Sequence, residues 1–354
     1  MIAYFILLGI PIFLGLIPTT KAKWKKIKQI VIISVFFFIL FILMALRSTK
    51  VGVDLTWYIP AFHTISKISA KDLLAFDTYE FGYVYLNKFI SLFSENEQFF
   101  LGVIAAIALI PISYLYCKES GNGLLTILLF CVVLFSMYFS GLRQIVAMGF
   151  MVPAYYATKN KKIFKFICFV LIACLFHQSA FIGFAFYPIY HLKLTQKSFS
   201  FLMIFFAAII IFNEQIFSFL VRFLDEKYEK YFSTEETGAY KLLILFILFV
   251  LYAYLVPDGK KMDKDTIGLR NILLVILFFQ VFSLSNFMAS RLGFYYLVFL
   301  PIIIPKIIEK KRDNEAIIID VSAFIMIIFF IVYFFYWAYT SEDMFEVVPY
   351  IPFW

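Results

Sequence analysis

The chain has 354 residues, 63% hydrophobic and 21% aromatic but only 15% charged, with a mean hydropathy of +0.92. Such a balance lies far outside the soluble range and assigns the chain to a membrane. Its net charge of +8 would suit nucleic acid only if the basic residues shared one soluble surface, whereas they are scattered through short loops, which excludes that partner.

Apolar runs of about 17 residues or more recur from end to end, and since a helical span needs roughly 20, they favour helices over the alternating ten-residue strands of a barrel. The fold class is therefore all-α and polytopic, one integral membrane domain over 1–354. The opening MIAYFILLGIPIFLGLIP lacks a basic n-region and a small-residue cleavage site, so it reads as a retained first span. Charged breaks then delimit about twelve spans near 1–18, 28–46, 98–116, 124–139, 143–157, 163–176, 179–190, 199–212, 240–256, 267–287, 291–305 and 316–339. The segments 163–176 and 179–190 are short enough to be one tilted helix or two broken near His177.

Cytoplasmic loops collect Lys and Arg. The loops 19–28, 117–123, 158–165, 191–198, 257–270 and 306–313 carry 20 of the 31 basic residues, so they are assigned inside. The longer segments 47–97, 140–143, 213–241, 288–291 and 340–354 carry 11 and are assigned outside, together with both termini.

Most of the unusual polar residues then fall on the outer side. Segment 47–97 is too long for a plain connector and is expected to fold over the membrane as short amphipathic helices. In it, Asp54 follows the Gly52 turn, and Glu80, Tyr83 and Asn87 have helical spacing that would present a carboxylate, a phenol and an amide on one face, a set that suits a sugar. Arg143 and Gln144, in SGLRQ, stand at a helix start, where exposed amides and the dipole favour an anion such as phosphate; Arg143 as a mere interfacial anchor is the plainer alternative. His177 is followed by Gln178 and Ser179, so three polar side chains interrupt an apolar run, as a general base or phosphate ligand at a wet helix break would. The 213–240 loop is a second outer loop. Arg291, beside Asn286, repeats the lone arginine at an outer helix start.

Other polar groups read as structural. Cys117, Cys131, Cys168 and Cys174 lack the spacing of a disulfide or zinc framework and are expected to pack. His63 and His191 are expected to be structural. Asp320, near the inner end of the last span, is the exception to this grouping. The Asp-x-Asp of MDKD, 262–265, lies in a short inner loop with no α/β domain around it and reads as solvated charge. No nucleotide-binding glycine motif is present, so an enzyme of this build needs a substrate already activated in the membrane. No metal or cofactor is implied.

The motifs RSTKVGVDLTWY (47–58), EFGYVYLN (80–87), SGLRQIVAMG (140–149), LFHQSAFIG (175–183), SRLGFYY (290–296) and VVPY (347–350) resemble, in order and over nearly the whole chain, the EpsG family of Wzy-like bacterial exopolysaccharide polymerases. Asp54, Glu80, Tyr83, Arg143, Gln144, His177 and Arg291 occupy the family's marked positions, and Gln178 is a small departure. The resemblance implies a GT-C-like, metal-independent glycosyltransferase of the cytoplasmic membrane, polymerising undecaprenyl-diphosphate-linked repeat units into exopolysaccharide or capsule on the outer face. Donor and acceptor would both be lipid-linked glycans, alongside other polysaccharide export and assembly proteins. Arg143 and Arg291 would hold the pyrophosphate, and Glu80, Asp54 or His177 would accept the acceptor's proton, with a carboxylate slightly preferred and His177 as a phosphate or orienting contact. The rival readings are a lipid-linked glycan transporter, which predicts polar residues at all depths and two similar halves, and a membrane O-acyltransferase, which predicts an inward histidine.

Overall fold

The computed structural model describes residues 2–69, 71–194, 196–221, 239–284, 287–340 and 345–354. Helices dominate: α1 (Ile2–Leu16), α2 (Ala22–Ala45), α3 (Leu55–Lys67), α4 (Phe81–Ser91), α5 (Glu97–Glu119), α6 (Gly123–Val133), α7 (Phe135–Ser140), α8 (Leu142–Lys159), α9 (Ile163–Phe176), α10 (Phe186–Tyr190), α11 (Gln196–Ile211), α12 (Asn213–Val221), α13 (Ala239–Leu255), α14 (Lys264–Phe282), α15 (Phe287–Leu297), α16 (Leu300–Glu309) and α17 (Ala316–Thr340). Among the described residues the only β pairings are two isolated bridges. This suits a bilayer, where each helix satisfies its own backbone and an open strand edge cannot.

Among the described residues, four helices are long and apolar enough to cross a membrane, Ala22–Ala45, Glu97–Glu119, Lys264–Phe282 and Asp313–Thr340, and a fifth span results if Ser290–Leu297 and Leu300–Glu309, bent by 50°, are joined. The protein is thus an α-helical membrane protein. Several expected spans are interrupted. The 124–139 run breaks at Leu134, where the backbone leaves the helix between α6 and α7. The ambiguous 163–190 run breaks at His177, whose extended backbone ends α9 before a 3-10 stretch, Gln178–Ala185, and α10.

The chain forms two compact units, residues 1–181 with 314–354 and residues 182–313. In the first, α2 packs on α1, α5 and α6, α8 on α5 and α9, and α17 on α6. Helix starts are capped where the sequence offers an amide: Asn96 accepts from the Phe99 amide and Asn122 from the Leu125 amide. Its loops join in two sets. Lys159 pairs with Glu119 at 3.1 Å and Lys28 donates to the carbonyls of Gly15 and Ile17. In the other set, the 48–53 loop pairs with the chain's last residues: Ser48 with Ile351, Gly52 with Glu346 and Val53 with Phe345.

In the second unit α14 is buried for most of its length against α10, α13, α15 and α16. Its Asn271 donates to the carbonyls of Ile189 and Leu192, closing the irregular backbone after α10. MDKD is not solvated charge. Asp263 caps α14 by accepting from the Thr266 amide and pairs with Lys310 at 2.8 Å, while Asp265 pairs with Lys306 at 2.9 Å and accepts from the Tyr190 hydroxyl at 2.7 Å. The Lys306 and Asp265 side chains are only 14% and 13% exposed. Packing brings two helix ends together: Lys306 in the last turn of α16 and Lys310, which caps it, meet Asp263 and Asp265 at the start of α14, each set complementing its helix dipole. Gly268 makes room, since a β-carbon there would lie 2.5 Å from the Tyr190 ring.

His63 pairs with Glu97 at 2.9 Å, and His191 stacks edge-on with Tyr187 and Tyr190, as structural histidines do. All four cysteines are free thiols.

Candidate active site

Three segments of the first unit converge on one carboxylate. Glu80 precedes α4 with an extended backbone, Arg143 sits in the first turn of α8, and His177 ends α9. Glu80 Oε2 accepts from Arg143 Nη1 at 2.6 Å, while Oε1 accepts from the Gln178 amide at 2.9 Å and lies 3.1 Å from His177 Nδ1. All three side chains are largely but not wholly covered, at 18%, 22% and 24% exposed.

Burial alone would push the Glu80 carboxyl up, but the hydrogen bonds from His177 and the Gln178 amide, with the Arg143 charge, outweigh it and hold the group at about 2. Glu80 is therefore ionised and only accepts, so the proton between it and His177 sits on Nδ1. In the neutral form of the ring the lone pair then lies on Nε2. A carboxylate so strongly stabilised is a poor proton acceptor, and an imidazole oriented by it is a good one.

Two tyrosines that the sequence does not single out complete the surroundings of Arg143. Its guanidinium lies 4.6 Å from the Tyr79 ring centroid and its Nε donates to the Tyr58 hydroxyl at 3.3 Å. Tyr79 is anchored by its own hydroxyl on the Trp57 carbonyl and by packing against the Ile65, Leu73 and Val84 cluster. In a chain with 23 tyrosines no spacing marks these two; only the position of Tyr79 directly before Glu80 hints at it.

Asp54 belongs to the same neighbourhood. It stands before α3, its amide donates to Ser140 Oγ at 3.2 Å, and its charge is felt at the Tyr79 phenol, which burial raises. Gly52 fixes this loop, with φ of 105° and a hypothetical β-carbon 2.1 Å from the Phe139 carbonyl oxygen. The neighbouring Arg47 is fully buried over the Phe139 ring, with Nε and Nη1 unpartnered, and burial pushes its pKa down to about 9.

Other expected residues fall differently. Tyr83 and Asn87 share a face, as their spacing requires, but it is the buried one; each is 1% exposed, and Asn87 donates to the Tyr83 carbonyl. They support α4 and do not present a sugar-facing surface with Glu80, because Glu80 lies before the helix and turns out of its register. Gln144 is buried. Arg291 is half-buried on α15 of the second unit, and Asn286 lies outside the described residues, as does 222–238 of the expected 213–240 loop, whose ends are α12 and the start of α13. Among the described residues no three His, Cys, Asp or Glu side chains converge as metal ligands.

The fold and site together define an all-helical membrane protein with a charged cluster assembled from the ends of apolar helices. The profile of the EpsG family matches residues 4–351, nearly the whole chain, and the chain belongs to that family. Membership places it among Wzy-like polysaccharide polymerases in general, membrane proteins that act on lipid-linked glycans by glycosyl transfer. No curated protein and no solved structure matches it.

Proposed function

We propose that the protein joins undecaprenyl-diphosphate-linked repeat units on the outer face of the bacterial cytoplasmic membrane, by metal-independent inverting transfer within a GT-C-like bundle of about twelve spans with both termini outside. The observation that carries the reading is the Glu80 carboxylate bridging Arg143 and His177.

In this reading the donor's pyrophosphate docks on Arg143, which uses Nε on Tyr58 and Nη1 on Glu80 and offers Nη2 to the anion. A hydroxyl of the acceptor glycan attacks the anomeric carbon from the face opposite the pyrophosphate. The new glycosidic bond forms as the bond to the pyrophosphate oxygen breaks, and undecaprenyl diphosphate leaves with its growing charge met by Arg143. The hydroxyl proton passes to His177 Nε2, while Glu80 holds Nδ1–H and stabilises the imidazolium. Asp54 is the alternative acceptor of that proton, and Arg291 keeps its assignment from sequence as a second pyrophosphate ligand.

Purified protein supplied with lipid-linked repeat units tests this directly. Longer glycans with released undecaprenyl diphosphate are expected, and His177→Asn abolishes both at unchanged protein abundance. Unchanged glycan length with wild-type protein defeats the polymerase reading; full activity of His177→Asn defeats the division of roles.

A further inference from the structure

Helix α4 buries one face and leaves the other bare. Tyr83, Val84, Asn87 and Ile90 pack inward. Opposite them, Phe81, Tyr85 and Phe89 recur every fourth residue and stay 52%, 36% and 58% exposed, and Leu92 and Phe93 continue the row at 71% and 69%. The rings associate along it, Phe81 with Tyr85 at 4.2 Å and Phe89 with Phe93 at 5.2 Å. The helix is roughly 16 Å long at 1.5 Å per residue, and a contiguous apolar strip of that length facing water is not what a solvated connector carries.

What covers the strip follows from where the ends of α4 are fixed. At its N-terminal end Glu80 is bonded to Arg143, at the start of α8, and to His177, at the end of α9, while Gly82 lies against the Leu175 backbone. At its C-terminal end a short link leads to Asn96, which caps α5, a helix long and apolar enough to cross a bilayer. The two ends of α4 are therefore held at the ends of two apolar helices, the close of α9 and the start of α5, so α4 cannot itself cross the hydrocarbon. Lys67, the last residue of α3, and Lys71, just after it, are exposed, and Lys88 is tied to the Ser66 carbonyl beside them. Aromatic side chains with lysines close by are the composition of a lipid–water boundary.

We propose that α4 is an interfacial helix whose Phe81, Tyr85, Phe89 and Phe93 insert among the lipid chains of the adjacent leaflet. Glu80 and Arg143 are thereby held at headgroup depth, where the phosphates of membrane lipids lie. The inference rests on the geometry of α4 and stands or falls independently of the polymerase reading.

The test is a depth measurement on the full chain in phosphatidylethanolamine–phosphatidylglycerol vesicles. Nitroxide labels are placed at Tyr85→Cys, Phe89→Cys and Lys71→Cys, in a background with the four native cysteines replaced by serine. Collisions with oxygen are expected to exceed those with a water-soluble nickel chelate at 85 and 89, and the order to reverse at 71. Nickel dominating at 85 and 89 would mean a water-facing strip, and low values for both reagents a strip covered by a second copy; either result overturns the proposal. Should the serine background fail to fold, wild-type protein is irradiated in vesicles containing a phospholipid with a diazirine in its acyl chain. Label on the peptide spanning 81–93 is expected, and its absence there, with labelling elsewhere on the chain, refutes the proposal.

Discussion

Replacing Gly82 by alanine perturbs the candidate site without touching any charged group. A β-carbon at this position would lie 2.7 Å from the Leu175 carbonyl oxygen and 3.0 Å from its carbonyl carbon, both backbone atoms, so α9 cannot yield by turning a side chain. Restoring ordinary contact moves the first turn of α4 by about 0.7 Å. Glu80, two residues away, then withdraws from bonds of 2.9 Å to the Gln178 amide and 3.1 Å to His177 Nδ1. A shift of that size along these bonds stretches them past roughly 3.6 Å, beyond useful hydrogen bonding. One lost bond to a charged group is worth about 1.5 to 3 kcal/mol, hence a fall in turnover of roughly 10- to 150-fold if the oriented imidazole is needed. The assay is polymer formed per minute by purified protein from lipid-linked repeat units, with the melting temperature recorded alongside. Adding Leu175→Ala does not rescue, because the obstructing oxygen and carbonyl carbon remain. Wild-type turnover by a folded Gly82→Ala protein would refute the claim that the Glu80–His177 contact supports the reaction.

Three further outcomes follow from the same structure. Glu80 titrates near 4.5 when free and is held at about 2 in the fold, so the stability it contributes is complete above about pH 4.5 and lost as pH falls toward 2; Glu80→Gln should abolish that part of the acid loss, measured as the wild-type minus variant difference in melting temperature between pH 5 and pH 2. Asp265→Ala removes the carboxylate that pairs with the covered Lys306 and accepts from the Tyr190 hydroxyl, so unfolding should become easier by up to about 3 kcal/mol, and the double change Asp265→Leu with Lys306→Met should recover most of it; denaturant or thermal melts read both. Gly52→Ala, forced into a positive φ against the Phe139 carbonyl, should cost about 1 to 3 kcal/mol from the backbone alone and lower polymer yield further by displacing the 139–141 break.

The parts of the site legible in the sequence were those whose chemistry is costly in a membrane. Arg143 and His177 stand out because each interrupts an apolar run, and the structure places both at helix ends on one carboxylate, with the break at His177 where the polar triplet HQS put it. Tyr58 and Tyr79 could not be read, because aromatic residues make up a fifth of the chain and nothing in their spacing separates a ring that stacks on arginine from one that faces lipid. Tyr83 and Asn87 were placed on the correct helix but the wrong face: periodicity groups residues on one side without saying which side is covered, and it assumes a helix already begun at Glu80. The MDKD aspartates failed for a related reason, since their partners Lys306 and Lys310 lie some forty residues away and only tertiary packing brings the two helix ends together.

The pairing of the 48–53 loop with residues 345–351 sets a constraint on biogenesis. Tyr350 reaches back 307 residues to the Leu43 carbonyl, and the amides of Ser48, Gly52 and Val53 find their acceptors in the same late segment. A nascent chain halted before that segment lacks the partners that hold the Gly52 turn and, through it, Asp54 beside Ser140. Every intervening helix must be inserted first, so the Gly52 turn and the placement of Asp54 are completed last, after the Glu80–Arg143–His177 cluster, whose bonds all lie within residues 80–178.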